Sequence, residues 1–226
     1  MNTMSTMNTR AGGWCGGDLR TAAVVAPCEI IKLGGSLLTV PNWPDLAVDL
    51  VRIRSSRGQV VVVVGGGAIV DGLRTIDAAA PQRPDAVHFL AIDLLGATAR
   101  LVARALGLPL VVEPGDDAAA VLDVPLWLTA VSRRSRVPVG WHVTSDSIAA
   151  LVAAEARGGL LLAKRVAPPR SVHEDPIAEL ARGGWVDDHF PVAAAGLTHI
   201  AWAAPRSVPI PGVGRALGES GDARGG

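Results

Sequence analysis

The chain carries nineteen arginines but only two lysines, Lys32 and Lys164. Lysine offers a compact ammonium on a flexible stem, which arginine's planar fork does not always imitate. Drift in composition would also leave two such survivors, so their neighbours must decide. Lys32 precedes Gly34-Gly35-Ser36, and Lys164 closes the apolar run Leu160-Leu161-Leu162-Ala163. Gly65-Gly66-Gly67 follows five consecutive valines, and Thr144-Ser145-Asp146-Ser147 precedes the helical spacing of Ile148, Leu151 and Val152. Glycine turns at strand ends can aim backbone N–H groups at an anion beside a helix N-terminus. The chemistry these residues share is oxyanion binding with two ammonium groups nearby. A tight turn that lets a helix pack close to a strand would use the same glycines. No GxxxxGK[ST] is present, and Gly65 to Gly72 lacks GxGxxG spacing, so P-loop and dinucleotide readings both lose support.

The elements that must position these residues alternate. Glu29 to Leu33 reads as a strand entering a glycine turn, and Leu46, Leu50 and Ile53 mark a helix that Gly58 stops. Gln59 to Val64 lacks polar alternation, as expected of a central strand buried on both faces of a parallel sheet. Ile69, Leu73 and Ile76 indicate a helix after the triple glycine, and Val87 to Leu106 a long apolar one. Leu108 to Val112 and Leu126 to Val131 are the next strand candidates, with Arg133-Arg134-Ser135-Arg136 as a basic loop beyond. Leu160 to Ala163 is a further strand that delivers Lys164. This alternation predicts an α/β three-layer αβα sandwich around a mainly parallel sheet. No internal repeat is present. Residues 1–26 read as a disordered leader, 27–204 as the folded domain and 205–226 as a Gly/Pro-rich flexible tail.

Composition narrows the partners. Hydrophobic residues make up 49% and charged residues 19% of 226, which permits a sizeable core and excludes a mostly disordered chain. Twenty-one basic and twenty-one acidic residues cancel, so no global field draws in nucleic acid or an anionic membrane. The longest unbroken valine run, Val60 to Val64, is far short of the ~20 residues of a membrane span. Cys15 and Cys28 lack CxxC spacing, which suits a reduced, cytoplasmic protein without a zinc site.

The ordered combination of Ile31-Lys32-Leu33-Gly34-Gly35-Ser36, Val62 to Gly67, Thr144 to Ala149 and Leu161 to Lys164 resembles the amino acid kinase family. Its members include acetylglutamate, aspartate, uridylate and isopentenyl phosphate kinases. The resemblance implies an ATP and an acceptor meeting across the carboxyl ends of a parallel sheet. It implies that Lys32 and Lys164 neutralise charge on the transferred phosphoryl group and the leaving ADP, with Asp146 orienting both ammonium groups. Gly34, Gly35, Ser36, Lys164 and Arg165 would bind the nucleotide. Gly65, Gly66, Gly67, Asp71, Arg74, Thr144 and Ser145 would hold a small phosphorylated acceptor. Mg²⁺ would be bound mainly through nucleotide phosphates, with no protein metal site.

Trp141 through Ala149, with Asp71 and Arg74, look most like the small kinases of methanofuran biosynthesis. That likeness implies [5-(aminomethyl)furan-3-yl]methyl phosphate as acceptor. A homo-oligomer is a further implication, with Val87 to Leu106 as the candidate interface. The chain departs from the family after Lys164, where Arg165-Val166-Ala167-Pro168-Pro169 replaces the usual Val-Asp-Gly, and it lacks a late Gly-Thr pair. These departures keep open a non-catalytic nucleotide or oxyanion binder, beside a carboxylate-accepting kinase. The five histidines show no pairwise metal-ligand spacing and read as structural or surface residues. Asp187-Asp188 and Arg133, Arg134 and Arg136 have the bland reading of solvated loop faces, against ribose, Mg²⁺ or phosphate contacts.

Overall fold

A computed structural model describes residues 13–21, 28–168 and 175–206. Strand β1 (Trp14–Arg20) is followed by β2 (Cys28–Leu33), a 3-10 turn at Gly35–Thr39, and helix α1 (Trp43–Ser55). Next come β3 (Gln59–Val64), α2 (Ala68–Ala79), α3 (Pro84–Leu106), β4 (Leu110–Val111) and β5 (Ala119–Leu122). The short helices α4 (Val124–Trp127) and α5 (Val131–Arg134) lead to α6 (Ser145–Glu155) and β6 (Gly159–Ala163). Helices α7 (Pro176–Arg182) and α8 (Phe190–Ala193) precede β7 (Ile200–Pro205).

The seven strands form one sheet in the order β1-β7-β6-β2-β3-β5-β4, parallel throughout except for β1, which runs antiparallel to β7. Alternation along β3 divides its valines between two apolar layers, as the two-faced burial of its sequence requires. Val61 and Val63 pack with Ile148, Val152, Leu160, Leu162 and Phe190 on one face. Val60, Val62 and Val64 pack with Leu50, Val51, Ala99 and Val102 on the other. Helix α3 gives Ile92 and Leu95 to the first layer and Ala99, Val102 and Ala103 to the second, so it ties the layers together. By length and composition α3 would be long enough to cross a membrane, but that buried face makes it a core helix here.

Three sequence expectations are corrected. Leu126 to Val131 is not a strand: Asp123 accepts a hydrogen bond from Leu126 N, Pro125 sits in the first turn, and a helix starts instead. The strand is Ala119–Leu122, and the candidate Leu108 to Val112 shortens to the two residues of β4. Within the expected leader, Trp14–Arg20 form β1, held by β7 and by Arg206, whose Nε donates to Trp14 O at 2.8 Å. Residues 1–12 and 22–26 of that leader, and the tail beyond 206, lie outside the described residues.

Candidate active site

The carboxyl ends of β6, β2 and β3 lie side by side, and each releases a functional turn. Gly34 N donates to Ala163 O at 2.8 Å and Gly65 N to Leu33 O at 2.9 Å, so the ladder continues into both glycine turns. Those turns touch. A Cβ on Gly35 would lie 2.1 Å from Gly67 N, and Gly67 itself is left-handed at φ +53. Only glycine at both places allows the two backbones to merge into one cradle of amides.

Lys32 shares a face of β2 with Ile30, the face that α6 covers, and Lys164 directly follows β6. Helix α6 is buried on all sides from Ser145 to Ala153, so a carboxylate in its first turn must be paired. Asp146 is paired twice. Lys32 Nζ lies 2.9 Å from Oδ1, and Lys164 Nζ donates to Oδ1 and Oδ2 at 2.8 and 2.7 Å. Burial alone would raise the Asp146 pKa, but the charges of Lys32 and then Lys164 outweigh it and hold the carboxyl below its usual range. Lys164 is pushed down to about 8, first by burial and then by Lys32, with Asp146 opposing. The three side chains carry a net positive charge facing the glycine cradle.

A cavity of about 240 Å³ opens over this group. Lys32, Lys164, Gly34, Gly35, Ser36, Gly65 to Gly67, Thr144 and Ser145 line it. Asp71 and Arg74 from α2 line it as well, together with Val70, Ile92 and Leu95. Every residue expected at the site therefore meets here except two. Asp146 lies beneath the cavity, reaching it through the lysines, and Arg165 sits one residue past Lys164, outside the lining.

Sequence reasoning assigned no place in the site to several neighbours. Trp141 lines the cavity, donates Nε1 to Asp77 Oδ2 at 2.8 Å and carries the Arg74 guanidinium over its ring at 5.0 Å. His88 is buried in the cavity wall, where Gly140 N donates to Nδ1 at 3.3 Å and Nε2 has no hydrogen-bond partner. Burial lowers its pKa, so the ring is neutral at physiological pH. No sequence spacing marked His88, because α3 reaches the cavity only through the packing of α2 and the sheet. Asp187, far from a solvated loop acid, accepts hydrogen bonds from Thr144 and Ser147, whereas Asp188 is exposed. Arg133 stays away from the cavity and joins Glu113 and Glu155 over the Trp127 ring.

The donor set matches phosphate oxygens: backbone amides at the cradle and two ammonium groups. Among the described residues, no group of three or more His, Cys, Asp and Glu side chains is placed to hold a metal ion.

Residues 27–121 match the sequence profile of the amino acid kinase family. No curated protein matches the chain. Among solved structures, the fold is similar to that of aspartate kinase from Synechocystis, at 15% identity and a TM-score of 0.53. That match covers 79% of this chain and 40% of the other. Uridylate kinase from Archaeoglobus fulgidus matches at 16% identity over 77% of this chain and 99% of its own, with a TM-score of 0.45. Asp146 and Lys164 lie beyond the profile match, and the folded sheet brings them to Lys32. Lys32 and both glycine turns lie inside the residues that are similar to the amino acid kinase family, and the fold around them is similar to that of an aspartate kinase.

Proposed function

We propose that the protein is a phosphotransferase of the amino acid kinase type, which moves the γ-phosphoryl group of ATP to a small phosphorylated acceptor. The observation that carries the reading is the Lys32–Asp146–Lys164 group beside the merged glycine turns, at a cavity of only about 240 Å³. In this reading Gly34, Gly35 and Ser36 take the ATP phosphates, and Gly65 to Gly67 take the acceptor phosphate. An oxygen of that phosphate attacks the γ-phosphorus while the bond to the ADP bridging oxygen breaks. A phosphomonoester oxygen is already anionic at neutral pH, so no base is required. Asp146 stays ionised and aligns the two ammonium groups, whose charge offsets that developing on the transferred and leaving oxygens.

The rest of the cavity lining suggests the acceptor's body. Asp71 suits an ammonium, Arg74 over Trp141 suits a flat or anionic group, and Val70, Ile92 and Leu95 suit an apolar ring. A compact aminomethyl-bearing ring phosphate, of which [5-(aminomethyl)furan-3-yl]methyl phosphate is the leading candidate, meets all three demands. A cytoplasmic location accords with the free Cys15 and Cys28. A homo-oligomer through α3 accords with its exposed Leu90 and Leu101, and light scattering at assay concentration tests it.

The experiment is ADP release with Mg²⁺-ATP across phosphomonoesters, including the furan and UMP, beside acetylglutamate and aspartate. Turnover with a phosphomonoester supports the reading, and turnover with a carboxylate alone replaces it with carboxylate phosphorylation. ATP binding without any transfer would make the protein a binder. The Arg165 to Pro169 segment, which leaves Arg165 off the cavity, favours that second reading.

A further inference from the structure

We infer that Asp187 is a positioning residue for the phosphoryl-transfer site: it locks the turn that sets Asp146 between the two lysines. The inference rests on the site reading above. Asp187 lies between α7 and α8, forty residues beyond the turn it holds. Its Oδ2 accepts from Thr144 N at 2.9 Å, Thr144 Oγ1 at 2.7 Å and Ser147 N at 3.1 Å. Its Oδ1 accepts from Ser147 Oγ at 2.5 Å and from His189 N at 3.2 Å. Thr144 Oγ1 in turn accepts from Asp146 N at 3.3 Å, so the carboxylate acts on both sides of Asp146 and, through one hydroxyl, on its own amide.

Ordinary capping does not need this. Thr144 already occupies the N-cap of α6 and accepts from the helix itself. Asp187 adds charge-assisted bonds from a distant segment to the exposed donors of the first turn, where a negative charge is also favoured by the helix dipole. Two of its donors belong to Ser147, which is fully buried. The first turn is therefore fixed in both rotation and height. That matters because Asp146 must meet two ammonium groups at once, at 2.7–2.9 Å. A rotation of the turn would favour one lysine and release the other.

The chain's two lysines make a test possible without knowing the acceptor. Biosynthetic labelling of the full chain with lysine carrying ¹³C at Cε gives only two side-chain signals, from Lys32 and Lys164. In the wild type the Lys164 signal should titrate near about 8. Asp146 supports the charged form of Lys164, so loosening Asp146 must lower that midpoint. Asp187→Asn and Ser147→Ala should each lower it by ~0.5 pH unit or more. Asp188→Asn, an exposed neighbour, should leave it unchanged.

Ser147→Ala keeps the charge of Asp187 and removes only a hydroxyl, so it remains informative if Asp187→Asn does not fold. Wild-type titration in both Asp187→Asn and Ser147→Ala, whatever their melting temperatures, would leave Asp187 a plain helix cap and overturn the inference. A shift in Asp187→Asn alone would show a charge acting through space and overturn it equally. Asp146→Asn is the reference: if it moves neither lysine signal, the charge arrangement of the site reading fails, and the inference with it.

Discussion

Gly35 and Gly67 stand backbone to backbone, so close that a Cβ on Gly67 would come within 2.4 Å of Gly35 O. The contact joins the turn after β2 to the turn after β3, and on the proposed reading makes one anion cradle of two. Gly35→Ala has no flexible side chain to push aside, only backbone. It should cost ~1–3 kcal/mol of stability and abolish ATP-dependent turnover. Gly72, in the interior of α2, is the contrast, because nothing lies within 4 Å of the place a methyl group would take there. Gly72→Ala should raise stability by ~0.5–1 kcal/mol through helix propensity, and paired thermal melts check both.

Lys32→Arg and Lys164→Arg keep the charge but not the shape. At a preorganised phosphoryl-transfer site the loss of one such contact costs ~3–4 kcal/mol, or ~100–1,000-fold in turnover. Both variants should fold, by thermal melt, and lose turnover, by ADP release. Asp146→Asn should depress turnover more than ATP affinity, since it removes alignment and leaves the cradle intact. Wild-type turnover in both arginine variants would remove the catalytic assignment.

The pH dependence has two limbs with opposite origins. On the proposed reading Lys164 acts in its charged form, and with its pKa pushed down to about 8 turnover should decline as pH rises through that value. The limb should be missing from whatever activity Lys164→Arg retains. For stability the sign differs. Between about 8 and the ordinary lysine value of 10.5, the unfolded chain holds a proton that the folded one has lost, so Lys164 makes stability rise with pH there. Asp146 is depressed, so its contribution is present above 3.8 and disappears as pH falls through the lower folded value. Denaturant titrations across these windows measure both.

On the proposed reading Arg74, which lines the cavity from α2, contacts the acceptor rather than the nucleotide. Arg74→Met should raise KM for whichever acceptor supports turnover by ~10–100-fold, the worth of one charge-assisted contact, with KM for ATP unchanged. Trp141→Phe keeps a face for the guanidinium but frees Asp77, and a smaller rise of the same kind should follow. A parallel rise in both KM values would place Arg74 elsewhere in the mechanism.

The strands that carry chemistry were legible because they are local and extreme. Val60 to Val64 can be little but a strand buried on both faces, and the glycines after it and after Leu33 can be little but turns. The second half of the domain was less so. Ala119–Leu122 is half alanine and gains its place only from β3 and β4 on either side, while Leu126 to Val131 has strand-like residues but a helix-starting Asp123 and Pro125. Strand β1 contains Gly16 and Gly17, poor strand formers that a distant partner overrides. At the site, the lysines and Asp146 announced themselves by rarity and neighbours. His88, Trp141 and Asp187 join them only across the fold, where no short spacing could reveal a contact.

The pairing of β1 with β7 has a consequence for how the chain is made. Cys15 Sγ reaches Ala204 O across 189 positions of sequence, so the strand translated early meets its partner only after nearly every other element has left the ribosome. Until then the outer rim of β6 is open, and after β7 docks its own rim stays open until β1 closes over it. The two-residue β4 at the opposite rim offers little to a stray strand, so the vulnerable margin is the late one. A circular permutant that starts at β2 and joins Arg206 to Gly13 through a short linker would place β7 and β1 next to each other in sequence. That rim would then close as a hairpin, soon after synthesis rather than by a long-range search.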